Sequence, residues 1–132
     1  MKATGALLTL LALSACSANE APAGDDYEKI EVPTDLLASD ETRARGRDLF
    51  LKKCALCHGE RADGNGVRQK GLSGAAVNFQ SRDWRASTSA RRVFMIVSEG
   101  KRGTSMPAWP TLSDEEKWEV VAYVLSVSED GP

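Results

Sequence analysis

Histidine is almost missing from this sequence: one residue, His58, in 132. Cysteine is scarce, with only Cys16, Cys54 and Cys57. A closed zinc site needs more soft ligands than these residues supply together. Neither charge sign is in large excess, since the formal net charge is −2, and nothing points to nucleic acid as a partner. No apolar run approaches the roughly 20 residues that a membrane-spanning helix requires. No internal repeat and no convincing strand pattern appears. The length fits one domain plus a tail.

What is present is concentrated. Cys54-Ala55-Leu56-Cys57-His58 places two of the three cysteines three apart, with the single histidine directly after the second. This spacing reads as an attachment site for haem c. The thiols of Cys54 and Cys57 add across the two haem vinyl groups, and His58 reaches the iron as proximal ligand. A redox dithiol is the bland alternative, but it calls for βαβ surroundings that this sequence lacks.

The N-terminus differs in kind. Lys2 is followed by the apolar stretch "GALLTLLAL" and then by Leu13-Ser14-Ala15-Cys16. This reads as a signal peptide, too short in its core for a membrane helix. Its end resembles a bacterial lipobox, which implies cleavage before Cys16 and lipid on that residue. Acyl chains there hold the protein on a membrane surface. Ser17 after the cysteine resembles outer-membrane sorting in proteobacteria. With Cys16 lipidated and Cys54 and Cys57 on haem, no thiol is left for a disulfide. Both uses of cysteine require export, so the expected location is the periplasmic side of the cell envelope.

The chain divides into a lipoprotein signal peptide over 1–15, a lipidated N-terminus with a flexible acidic tether over 16–39, a haem domain over 40–128, and a tail over 129–132. Within the tether, Ile30, Val32, Leu36 and Leu37 form a patch able to lie on the domain. Ser39 is a candidate N-cap, with Asp40 and Glu41 in the first turn. The helix it opens is expected to run through the cysteine motif. Gly46, Phe50 and Cys54 fall on one face of it. A glycine inside a helix costs about 1 kcal/mol against alanine, which suggests that another backbone passes close at Gly46. A glycine-rich loop follows, and residues 75–84 read as irregular. A second helix is expected over 88–99, capped by Ser87 or Ser89 and ended by Gly100. Residues 101–112 read as a loop. Ser113 and Glu116 stand in capping-box spacing before an amphipathic helix over 114–128.

This arrangement resembles class I cytochrome c of the small bacterial monohaem kind. The resemblance covers about residues 40–127 and rests on Gly46, Phe50, Cys54, Cys57 and His58, on "GTSMPAW", and on "WEVVAYVLS" with Trp118 and Tyr123. It implies an all-α cytochrome c fold in which the N- and C-terminal helices cross, with further helices and long loops around one covalently bound haem c. It implies Met106 as the second axial ligand of the iron. Met95 is the competing methionine, but it lies in an apolar helix pattern that suits core packing. Phe79 and Trp109 are candidate haem contacts, and Trp84 is open between packing and haem contact. Phe50, Phe94, Trp118 and Tyr123 read as core. Many relatives carry a proline soon after the motif whose carbonyl holds the proximal histidine, and here no proline lies between His58 and Pro107. The acceptor for His58 is therefore open.

The small net charge conceals segregation. Residues 17–41 hold eight acids and one lysine, residues 42–111 fourteen Lys and Arg against five acids, and residues 112–132 six acids and one lysine. Lys52, Lys53, Arg61, Lys101 and Arg102 lie near the haem motifs in sequence, which suggests a basic ring that steers toward an acidic docking surface on a redox protein. The expected function is single-electron transfer by a membrane-anchored carrier, with no small-molecule substrate and no enzymatic activity of its own. The alternatives are a cytochrome subunit of a larger oxidoreductase complex and, with Met106 off the iron, a gas sensor.

Overall fold

The computed structural model describes residues 28–127, and the proposed signal peptide, Cys16 and the last five residues lie outside them. The described chain is all-helical, as expected: α1 Thr34–Ala38, α2 Asp40–Lys53, α3 Ala55–His58, α4 Arg82–Ala86, α5 Ala90–Glu99 and α6 Asp114–Val127. None of these is long and apolar enough to cross a membrane.

Each start has a local cause. The Ser39 hydroxyl accepts from the Thr42 amide at 3.3 Å and opens α2. Ser89, rather than Ser87, caps α5 by accepting from the Arg92 amide at 3.2 Å. At α6 the capping box closes both ways: the Ser113 amide donates to the Glu116 carboxylate at 2.8 Å, and the Glu116 amide to the Ser113 hydroxyl at 3.2 Å. Gly100, at φ 77°, ends α5.

The dominant packing is α2 across α6. A Cβ at Gly46 would overlap the main-chain carbonyl of Glu119, and Tyr123 lies just beyond. Four residues on, Phe50 is 1% exposed and sits against Tyr123 at 5.1 Å between ring centroids. Val121 and Val124 fill the centre, and Phe94 of α5 stacks on Trp118 at 4.2 Å.

Four features depart from the sequence expectation. The first long helix is two: it breaks at Cys54 (φ −115°), and the motif continues as the separate turn α3. Residues 82–86, whose first part reads as irregular in sequence, form α4 because the Ser81 hydroxyl accepts from the Trp84 amide at 3.3 Å. Residues 34–38, read as part of a flexible tether, form α1, while the Ile30, Val32, Leu36 and Leu37 patch lies on the domain as expected. The Ile30 carbonyl accepts from Arg91 Nε at 2.7 Å. Finally, Glu119 is buried in the middle of α6, paired with Arg45, which also reaches Glu41 at 2.8 Å.

The crossing yields a prediction. Gly46→Ala removes a helix-interior glycine, which alone favours the helix by up to about 1 kcal/mol. The atoms nearest the added methyl are the main chain of Glu119, which cannot swing aside, so a net loss of about 1–3 kcal/mol is expected. Guanidinium unfolding of the mature protein checks this, and a variant as stable as the parent would refute the close crossing.

Candidate functional site

The site begins where α2 ends. Cys54 closes that helix, and the single turn α3 carries Cys57 and His58. So short a helix leaves its last carbonyls without partners. The glycine-rich loop supplies them. The amides of Gly64, Gly66 and Arg68 donate to the carbonyls of His58 (2.8 Å), Cys57 (3.2 Å) and Leu56 (3.0 Å). This approach requires a bare backbone at Gly66, where a Cβ would overlap the main chain of Leu56 and Cys57.

His58 is buried, with its ring 4.8 Å from Phe79 and 6.3 Å from Phe50 between centroids. Its Nδ1 lies 3.2 Å from the carbonyl oxygen of Val77. A carbonyl can only accept, so Nδ1 carries the proton and Nε2 keeps its lone pair. Burial holds the imidazole below the usual histidine range, opposed by the bond to Val77. The ring is thus neutral and oriented, the state required of a metal ligand. Val77 is the acceptor that the sequence left open, and no side-chain signal could have found it, since any residue supplies a carbonyl. Burial, with a small contribution from Cys57 and against the pull of Lys53, raises the Cys54 thiol to about 11.

Cys54, Cys57, His58 and Met106 line one cavity of about 360 Å³, with Val93, Val97 and Phe79 among its apolar walls. A second space of about 520 Å³ adjoins it along Cys54, Cys57, His58, Leu72, Met106 and Pro107. Met95 lines neither. Met106 is half-buried on a tightly held loop. Its carbonyl accepts from the Lys101 amide at 3.1 Å, and its amide donates to the Thr104 hydroxyl at 3.2 Å. Gly100 makes room for it, since a Cβ there would stand 2.8 Å from the Met106 carbonyl oxygen.

Phe79 packs against His58, and its edge meets Trp84 at 4.9 Å. Trp109 borders the second space, with the Lys53 ammonium 5.7 Å above its ring. Its Nε1 is buried without a hydrogen-bond partner among the described residues.

A family profile described as "Cytochrome C oxidase, cbb3-type, subunit III" matches residues 41–124. The chain belongs to this cytochrome c family. Solved structures agree. The cytochrome is similar to a chain of the Kuenenia stuttgartiensis reducing HAO-like protein complex Kustc0457/Kustc0458, at 25% identity and TM-score 0.64 over 74% of this chain. It spans about half of that chain, 49%. It is also similar to the KustC0563 c-type cytochrome, at 34% identity and TM-score 0.52, over 62% of this chain and 95% of that one. No curated protein matches it at a significant level.

Membership implies haem c, and the residues suit it. Among the described residues no group of three or more His, Cys, Asp and Glu is placed to hold a bare metal ion. Two free thiols, an imidazole with one nitrogen pinned, and a thioether border one largely apolar cavity. That donor set matches a covalently held haem, with nitrogen and sulfur for its iron.

Proposed function

We propose that this cytochrome carries single electrons between redox proteins, using one haem c attached through Cys54 and Cys57, with His58 and Met106 as axial ligands. The observation that carries this reading is that His58 and Met106 share a cavity with both cysteines. When bound, the haem supplies a one-electron Fe(II)/Fe(III) couple. The chain does the rest. Cys54 and Cys57 would hold the haem, each thiol adding its S–H across one vinyl group. Val77 fixes the tautomer of His58, so that Nε2 serves the iron. Met106 offers a thioether, which favours the ferrous state relative to a second histidine. Phe79, Val93 and Val97 keep water from the site. With His58 and Met106 both given to the iron, no position would be left for a substrate.

The same proposal places the protein on the periplasmic side of the cell envelope, anchored by lipid on Cys16, with the outer membrane favoured if the source is proteobacterial. Its support is the sequence of the N-terminus. A second reading, a subunit of a larger oxidoreductase complex, is favoured by the family description as an oxidase subunit and by the likeness to a chain of a solved complex. Co-purification from detergent-solubilised membranes separates the two.

The partner is proposed to present an acidic surface. Lys53, Arg68 and Lys70 border the second space beside the cysteines, while Arg92 and Lys101 border the first cavity. Cations thus line both spaces.

Three measurements follow. The mature protein should give low-spin ferric and ferrous spectra with the weak far-red Met–iron band, unchanged by carbon monoxide. Met106→Ala should lose that band, bind carbon monoxide when reduced, and show a lower midpoint potential. A parent protein that binds carbon monoxide would end the His58/Met106 assignment. Electron exchange with the partner should slow several-fold between about 50 and 200 mM salt, and Lys53→Glu with Lys70→Glu should slow it at low salt. A rate independent of salt would remove the steering role. Cys16→Ser should move the cytochrome from the membrane to the soluble fraction, and unchanged fractionation would exclude lipid on Cys16 as the anchor.

A further inference from the structure

A thioether is a neutral ligand, so the loop that presents Met106 decides how often it leaves. Within that loop the bonds are local. Lys101 donates to the Met106 carbonyl, and the Thr104 hydroxyl accepts from Met106 while donating to the Lys101 carbonyl at 2.7 Å. These bonds set the loop's shape. They do not set its position over the cleft.

Position comes in part from α5, whose Val97 carbonyl accepts from the Trp109 amide at 3.0 Å beyond Met106, and on the cleft side from the facing segment, residues 72–74. The Ser73 amide donates to the Ser105 hydroxyl at 2.8 Å, and the Ser105 amide donates to the Ser73 carbonyl at 2.9 Å. The Ser73 hydroxyl donates to the Gly103 carbonyl at 3.3 Å. Among the described residues these are the hydrogen bonds between the two segments. The approach is close enough that a Cβ at Gly74 (φ 83°) would stand 3.2 Å from the Thr104 methyl. Ser73 and Ser105 border the cavity alongside Met106. Both serines are exposed, so each bond competes with water and is individually weak.

We infer that Ser73 and Ser105 are positioning residues for the sixth ligand: their clasp ties the Met106 loop to the opposite wall and sets the rate at which Met106 releases the iron. The inference rests on Met106 ligation. Breaking the clasp frees the loop to swing, exposes the iron, and lets an external base replace the thioether. The exchange is a ligand substitution with no change of oxidation state.

The test uses the haem-loaded mature protein and imidazole as the external base. At saturating imidazole, its binding to the ferric form is limited by loop opening. Ser105→Ala removes one hydroxyl of the clasp. It should raise the limiting rate about fivefold, the worth of one ordinary hydrogen bond, and the far-red Met–iron band should fade at a lower temperature. Ser73→Ala should do the same by losing the bond to Gly103, and Ser105→Thr, which keeps the hydroxyl, should restore the slow rate. Ser113→Ala, which weakens the α6 cap away from the loop, serves as the control for general destabilisation and should leave the limiting rate unchanged. A limiting rate in Ser105→Ala equal to the parent's would overturn the clasp and leave Met106 ligation standing. A parent with no far-red band, whose imidazole binding stays linear in concentration, would overturn Met106 ligation and the clasp with it.

Discussion

The structure depends on a contact made by a side chain that is not there. Gly46 lets the backbone of α2 touch the backbone of α6 at Glu119. Everything downstream is measured from that point. One turn later Phe50 packs against Tyr123, Phe79 and His58. One more turn places Cys54 at the end of the helix. Three residues at spacing four thus convert a helix crossing into the position of a cofactor wall. The same crossing forces a cost. Glu119 cannot leave the contact, so its carboxylate is buried and must be matched, and Arg45 matches it from the facing helix. A buried acid with its partner removed would be far more damaging than the pair is helpful.

Helices alone do not make the site. α3 is one turn long, and its free carbonyls would leave the motif badly satisfied without the glycine-rich loop folded back on it. That loop continues to Val77, whose carbonyl orients His58. A single segment therefore satisfies the backbone of the motif and fixes the tautomer of its histidine. This explains the glycines at 64 and 66, where the loop runs against other main chain.

The legible parts of this protein were those written as residue identity at fixed spacing. The cysteine motif, Gly46 with Phe50, the Ser113 capping box and the methionine loop all rest on side chains that few other residues can replace. The structure brings Cys54, Cys57, His58 and Met106 to one cavity. What the sequence could not express was backbone. The break at Cys54 and the Val77 acceptor depend on dihedral angles and carbonyls common to every residue. α4 was missed because five residues are too few to show a period. Glu119 was missed because a hydrophobic pattern assigns charged positions to solvent, whereas here the partner on α2 decides.

The surface beside the cysteines carries the last step. Leu56 is 48% and Val67 87% exposed, the two large apolar residues left most open among the described ones. The backbone beside Val67 meets that of Leu56, since the Arg68 amide donates to the Leu56 carbonyl at 3.0 Å. Lys53, Arg68 and Lys70 line the second space together with Leu56. An apolar pair in water has a cost unless something covers it, and charges alone would bring a partner near without drying the contact. On the proposed reading the two features divide the work. Cations act at a distance and weaken with salt, while Leu56 and Val67 exclude water only at contact, next to Cys57. On that reading neither would hold a partner for long. That suits a carrier, which must release one protein before it can meet the next.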